Sequence, residues 1–547
     1  MLQRWSNSMA DQAGAGARLP RQYRNCLLAE MALQKASSDP EGVAIYLEGQ
    51  PPITFGGIVD EARRLAGGLR DLGFEKGDVI SFQLPNWREA VALDIAASLL
   101  GLVVNPIIPI YRDREVEFIL QDTRARAILV PEQFRGFDFV AMIDNLRPGL
   151  PDLEQVIVVR GDTHHAGTVN YADLLACEPV TSIAEGVSPD DVKIVMYTSG
   201  TTGRAKAVRH SHNTLTRALD NGCEAWSLGP DDVMLMPSPV THITGFVNGI
   251  ELPFFSDARS AFMERWEVGQ AIDLIQGVGA TACVSATPFL QELVQRAEET
   301  GVRLPSLRLF ACGGALVPPA LIQRAGEVLE RCRAFRVYGS TESPLVTVGF
   351  VGDDEVHLAA TTDGRIHNWD VRILDDDDNA LPGGADGEIV VAGPALMLGY
   401  GDPEQTRESM TPDGYFRTGD IGHITPENAI VITDRKKDII IRGGENLSAR
   451  EIEEVLYSHP EIIEAAAVAM PHERLGEGVC AYVVLVAGAA LSTLEELKPF
   501  LAQCRLAKQK WPERLEIATE LPKTASGKVR KDLLRAQLSA TDAKKAG

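Results

Sequence analysis

The sequence predicts an α/β protein, with a large N-terminal domain of doubly wound sheets plus a distorted β-barrel, and a small α+β C-terminal domain. Three observations carry this reading. At 547 residues the chain is too long for one hydrophobic core. Helical and strand patterns alternate through most of it, which is the rhythm of parallel β-α-β units. From about residue 365 the texture changes to short alternating strands, and from about residue 438 a further unit of close to 110 residues follows.

Taken in order, residues 1–20 lack the apolar core of a signal peptide and are expected to form a flexible tail. The N-terminal domain, 21–436, begins its alternation with "IVDEARRLAGGLRDLG", apolar at helical spacing and ending at a glycine. "DVISFQLP" then reads as a buried strand, "EAVALDIAASLLG" as a helix and "LVVNPII" as the next strand. "AIDLIQGVGATACVSATPFLQELVQRAEETG" gives a helix, a strand and a helix again. The barrel-like part, about 365–436, holds "GRIHNWDVRILD", "GEIVVAG" and "GHITPENAIVIT", with turn sequences such as "DDDDNALPGGADG" between them. The C-terminal domain, 437–547, sets the helices "SAREIEEVLYSHP" and "TLEELKPFLAQCR" against the strands "IEAAAVAM" and "GVCAYVVLVAG".

Composition excludes several classes. Apolar content of 45% with 24% charged residues is that of an ordinary globular protein. A net charge of -23 argues against nucleic-acid and anionic-membrane binding, so local cations must hold any polyanionic ligand. The most apolar long stretch, "IAASLLGLVVNPIIPI", carries Asn105 and two prolines and falls short of the roughly 20 residues of a membrane span, so no integral membrane association is expected. The eight cysteines are scattered without a CxxC pair and read as free thiols in a reducing cytoplasm. The expected assembly is a monomer or homodimer.

"YTSGTTGRAKAV", residues 197–208, follows the strand "VKIVM". Gly200 and Gly203 let the backbone approach a ligand, Thr198, Ser199, Thr201 and Thr202 offer hydroxyl donors, and Arg204 and Lys206 add charge. Its spacing, G-x-x-G-x-x-K, is not that of a nucleoside-triphosphatase P-loop. By composition alone it is either a phosphate loop or a hydrophilic turn.

Four further stretches occur after it in order: "VYGSTES" (337–343), "YFRTGDIG" (415–422), "DRKKDIIIRGGENLSAREIE" (434–453) and "LPKTASGKVRK" (521–531). Together the five motifs resemble those of the acyl-adenylate-forming superfamily of acyl-CoA synthetases, adenylation domains and luciferases, over nearly the whole chain. The resemblance implies a two-step reaction. A carboxylate attacks the α-phosphorus of ATP to give acyl-AMP and pyrophosphate, and a thiol, CoA, then takes the acyl group and releases AMP.

It also implies residue roles. Thr198, Ser199, Gly200, Thr201, Thr202, Gly203 and Lys206 would close over the β- and γ-phosphates. Thr341 would contact the α-phosphate, and Glu342 would hold Mg²⁺ through the hard oxygen ligand that ion prefers. Tyr338, beside Gly339, would stack on adenine, with Gly313, Gly314 and Ala315 as the other wall. Asp420 and Arg435 would take the ribose hydroxyls. Lys528 would bridge the carboxylate and phosphate with its ammonium, and Ser526 and Gly527 precede it in an exposed loop. Lys437 would be the hinge of a mobile C-terminal domain, and Gly444 would line the pantetheine tunnel once that domain has turned.

In "PSPVTHITGF", 237–246, His242 resembles the family's gate between the acyl pocket and the CoA tunnel. Ile243, Thr244, Phe246, Val247 and the "SATP" turn at 285–288 would line an apolar cavity. No acid stands in "THITGFVNG" to pair with a substrate ammonium, which disfavours amino-acid activation. Other stretches look most like ligases of cyclohexanecarboxylate and medium-chain acids, so a small apolar carboxylic acid, medium-chain, alicyclic or aromatic, is the expected substrate. Ala205 and Ala207 depart from the family's loop, where a proline and a glycine are usual, and altered loop closure is expected. Two alternatives stand beside this: loading of a carrier-protein phosphopantetheine, and nucleotide binding without catalysis.

Overall fold

The computed structural model of the chain describes residues 22–161, 163–198, 205–442, 445–472, 474–524 and 528–545, without the side chains of 446 and 539–545. Two large sheets dominate its first part. One runs, in spatial order, Arg333–Val337, Leu309–Gly313, Ala282–Ser285, Val233–Met236, Arg259–Phe262, Val43–Leu47 and Ile53–Thr54. Its pairs are parallel except the last. The other runs Gly399–Tyr400, Lys206–Ser211, Val192–Thr198, Val103–Pro106, Val79–Phe82, Ala127–Pro131, Gln155–Val159 and Val169–Asn170. These are the doubly wound sheets that the alternating sequence predicts.

The reason for the layering is visible in the helix Arg88–Leu100, where every residue from Glu89 to Leu100 is buried. A helix with apolar residues on every side, its Glu89 and Asp94 paired with Arg160 and Lys193, must lie inside rather than on a surface. Beside it, Phe55–Asp71 is capped by Thr54, whose side chain accepts from the Gly57 amide, and turns a full apolar face inward. Both helices belong to one buried cluster that reaches into the strands of the two sheets.

The region expected to be barrel-like forms a four-stranded antiparallel sheet of Asp370–Leu374, Gly387–Ala392, Phe416–Ile424 and Ile430–Arg435. Alternation of side chains puts Ile389, Val391, Phe416 and Ile430 on a common buried face. The C-terminal residues build a further sheet around the antiparallel pair Ile462–His472 and Gly476–Leu485, with Arg514–Ala518 parallel to the latter. Its two buried clusters draw only on residues 440–538. Among the described residues no helix is long and apolar enough to cross a membrane. The cysteines form no disulfide among the described residues, with Cys283, Cys312, Cys332 and Cys480 buried and Cys504 exposed.

Candidate active site

The two large sheets, the four-stranded sheet and the C-terminal unit converge on a cavity of about 630 Å³. Strand Val192–Thr198 delivers Thr198 to it, and the antiparallel strand Lys206–Ser211 returns with Lys206 directly opposite Thr198. The phosphate-loop stretch thus joins two adjacent antiparallel strands. Ser199, Gly200, Thr201, Thr202, Gly203 and Arg204 lie outside the described residues, as do Gly444, Ser526 and Gly527. Ala207 stands opposite Tyr197 and is buried in the same cluster, so its methyl packs in the core.

Glu342 follows the strand Arg333–Val337, and its Oε1 accepts from the Tyr400 hydroxyl at 2.9 Å and from Thr198 Oγ1 at 3.3 Å. The Glu342 carbonyl accepts from the Met397 amide at 2.9 Å, and the Thr341 carbonyl from His210 Nε2 at 2.7 Å. Burial pushes His210 down to about 4, so this ring stays neutral and works as a fixed donor. Burial, with the Glu342 charge, raises the Tyr400 phenol, which remains a proton donor to the carboxylate. Tyr400 also lies under the Lys206 ammonium, 4.7 Å from the ring centre.

The opposite wall comes from the four-stranded sheet. Asp420 and Arg435 are direct partners in its ladder, with Arg435 Nε 2.8 Å from Asp420 Oδ1. The Tyr338 hydroxyl donates to Asp420 Oδ2 at 2.7 Å. Both carboxylate oxygens therefore carry one donor already, and each keeps a second lone pair for a ligand hydroxyl. Burial and the Asp420 charge raise the Tyr338 phenol, while Asp420 holds Arg435 above its ordinary value.

Lys528 enters from the C-terminal unit and lies against Gly314. A Cβ on that glycine would stand 3.6 Å from Lys528 Cε, and Gly314 has φ +81°. A side chain there would be strained by the backbone conformation, while its Cβ would meet the lysine at ordinary contact distance. Gly313 ends the strand Leu309–Gly313, and Gly339 sits where a Cβ would fall 2.5 Å from the Leu345 amide nitrogen. Thr524 and Lys528 close the lysine's loop through the bonds Thr524 N to Lys528 O, 2.7 Å, and Lys528 N to Thr524 Oγ1, 3.1 Å. Loss of water and the neighbouring Arg435 lower the Lys528 ammonium to about 8. Lys437 lines the same cavity and is lowered by desolvation and by Arg435.

His242 lies on the third side, its Nδ1 accepting from the Thr244 amide at 3.3 Å. Burial and Lys528 lower it to about 4, so the imidazole is neutral. Ile243, Thr244, Val247, Val284 and Ala286 line the wall next to it. Phe246, expected there, is instead fully buried in the core, 5.2 Å from Lys193 Nζ. The "SATP" turn divides: Ser285 and Ala286 line this cavity, whereas Thr287 and Pro288 line an adjoining one of about 360 Å³ that also takes Ala315. Polar groups that sequence reasoning missed include Tyr400, Asn248, and Ser238, whose hydroxyl pairs with that of Ser285 at 2.8 Å.

Mg²⁺ can be tested against this donor set. Among the described residues no group of three acids, histidines or cysteines could hold a metal. A single carboxylate facing phosphate-binding groups is what Mg²⁺ uses when substrate phosphates and water complete its shell, and Glu342 fits that role.

Comparison with known proteins identifies the family. Residues 33–401 match the model of the AMP-binding enzyme family, and residues 451–528 that of the AMP-binding enzyme C-terminal domain. The chain is 34% identical over 529 residues to a medium-chain fatty-acid–CoA ligase of Escherichia coli (strain K12), covering 96% of this chain and 93% of that one. It is 30% identical over 511 residues to an indoleacetate–CoA ligase of Aromatoleum aromaticum, covering 93% and 97%. The ATP-bound crystal structure of MatB from Rhodopseudomonas palustris superposes with a TM-score of 0.83 at 27% identity, covering 94% and 99%. The chain thus belongs to the AMP-binding enzyme family and is an AMP-forming acid–thiol ligase.

Proposed function

We propose that this ligase activates a small apolar carboxylic acid, medium-chain, alicyclic or aromatic, and passes it to CoA. One observation carries the reading: a single cavity joins cationic and hydroxyl groups suited to a triphosphate with an acid-free apolar wall beside His242. In the first step a carboxylate oxygen bonds to the α-phosphorus and the bond to pyrophosphate breaks. Lys528, close to Arg435 and Lys437, offsets the charge that two anions bring together. Thr198, Lys206 and Thr341 hold the phosphates, and Asp420 with Arg435 fixes the ribose. Mg²⁺ on Glu342 would supply charge neutralisation at the phosphate oxygens.

In the second step the CoA sulfur bonds to the acyl carbon and AMP leaves with the former carboxylate oxygen. The unit beyond Lys437 turns as a body between the steps, withdrawing Lys528 and presenting the segment that carries Gly444. Neutral His242, between the acyl wall and Lys528, gates the thiol's approach. The chain works in a reducing cytoplasm, as cysteines that form no disulfide among the described residues suggest. It acts as a monomer or homodimer.

A panel of aliphatic, alicyclic and aromatic acids, assayed for AMP release with ATP and CoA, tests this. Release should be acid-dependent and greatest for octanoate- or cyclohexanecarboxylate-sized acids, with amino acids inactive. Preference for an amino acid, or AMP release that ignores CoA and needs a carrier protein, would reject the substrate reading.

A further inference from the structure

The C-terminal unit also touches the large part through a charged contact that has no part in the steps assigned above. Arg450 lies in the first turn of the helix Ala449–Tyr457, which Ser448 caps by accepting from the Glu451 amide. Its Nη2 reaches across to Asp363, 3.1 Å from Oδ1 and 3.2 Å from Oδ2. Asp363 is buried and is anchored on its own side, where Oδ2 also accepts from the Ile432 amide at 2.8 Å. Behind it stands Arg336, 3% exposed, with Nη1 3.9 Å from Asp363 Oδ1. Arg336 Nε and Nη2 have no hydrogen-bond partner among the described residues.

This arrangement stays balanced whether it is closed or open. Arg450 also bonds Glu454 on its own helix, Nε to Oε1 at 3.2 Å, so the closed cluster holds two guanidiniums and two carboxylates. If the unit swings away, Arg450 and Glu454 leave as a pair, and Asp363 stays with Arg336. A buried carboxylate that loses its only cation is strongly destabilised. Here the spare Arg336 donors prevent that, whereas in the closed state their lack of partners has a desolvation cost.

The contact is also rigidly connected to the reacting lysine. Lys531 Nζ lies 2.7 Å from Glu453 Oε1, tying the segment after Lys528 to the helix that carries Arg450. Both Arg450 and Lys528 line the smaller cavity between the C-terminal unit and the large part.

We propose that Arg450 and Asp363 form a releasable latch that holds Lys528 over the phosphate site during adenylation, with Arg336 as the stand-by counter-ion that neutralises Asp363 once the latch opens. This rests on the two-step, hinged reading above. Arg450 is a positioning residue, acting through the placement of Lys528.

The test uses the full chain with octanoate, following ATP–pyrophosphate exchange for the first half-reaction and thioester formation from supplied octanoyl-AMP and CoA for the second. Arg450→Gln should lower exchange about tenfold, the factor expected for loss of a hydrogen-bonded charge, and leave thioester formation intact. Arg450→Lys should recover part of the exchange. Arg336→Gln should do the reverse, sparing exchange and slowing thioester formation. Equal loss of both half-reactions in Arg450→Gln, or no loss in either, overturns the latch while leaving the ligase reading standing. Absence of acid-dependent exchange in the unaltered chain overturns both. Arg450→Gln changes a partly buried side chain at the contact between the two units rather than one in a core, so it keeps the test alive even where the buried Arg336→Gln does not fold.

Discussion

Lys528 needs its proton to bridge two anions, and its surroundings make that proton easier to lose. Desolvation first, then Arg435, lower it to about 8. The sign follows directly: the ammonium is present below that value and lost above it. Since kcat/KM reports groups of the free enzyme, kcat/KM for adenylation should fall as pH rises through about 8. A profile flat from pH 7 to 10 would refute the role. Glu342, Asp420 and Lys528 could be picked out in the sequence only through the ordered motifs that resemble the family's, since each alone reads as a surface charge. Tyr400 could not, although its hydroxyl donates to Glu342, because it lies 58 positions away in a short strand with no chemical signature of its own.

At the scale of elements, the strand that presents Thr198 is fixed at its other end by charge. Lys193 lies 3.0 Å from Asp94 Oδ2 on the helix Arg88–Leu100 and bonds Glu251, the last residue of the π-helix Phe246–Glu251. All three side chains are buried, and Asp94 Oδ1 and Glu251 Oε2 have no partner among the described residues. With one cation for two carboxylates, burial pushes Glu251 up to about 7 and raises Asp94. Lys193→Met should therefore cost about 3–5 kcal/mol, because it leaves both carboxylates uncompensated. In that variant the folded state holds protons that the unfolded chain releases, so its stability should fall as pH rises from 5 to 8. Urea unfolding at several pH values checks this, and a pH-independent loss would contradict it. The helix and strand periods here were plain in the sequence. The π-helix was not, because its wide turn leaves no distinct period in six residues, and so Phe246 was expected at the acyl wall when it packs in the core over Lys193.

At the scale of the whole molecule, the alternation of helices and strands and the change of texture near residue 365 were enough to foresee two layered sheets and an antiparallel part. Contacts across the chain, such as Arg450 with Asp363 at 87 positions' separation, carry no sequence period and emerge only from the packing. A strongly acidic chain, at net charge -23, collects Lys206, Arg435, Lys437 and Lys528 around one cavity, and that concentration is what a triphosphate requires. The central claim is that these groups serve an acid-dependent adenylation with Lys528 as its bridging cation. The direct measurement is ATP–pyrophosphate exchange with and without octanoate, in the unaltered chain and in Lys528→Ala. The account predicts acid-dependent exchange that Lys528→Ala abolishes, while thioester formation from supplied octanoyl-AMP largely survives. Exchange retained in Lys528→Ala, or both half-reactions lost to the same degree, would contradict it.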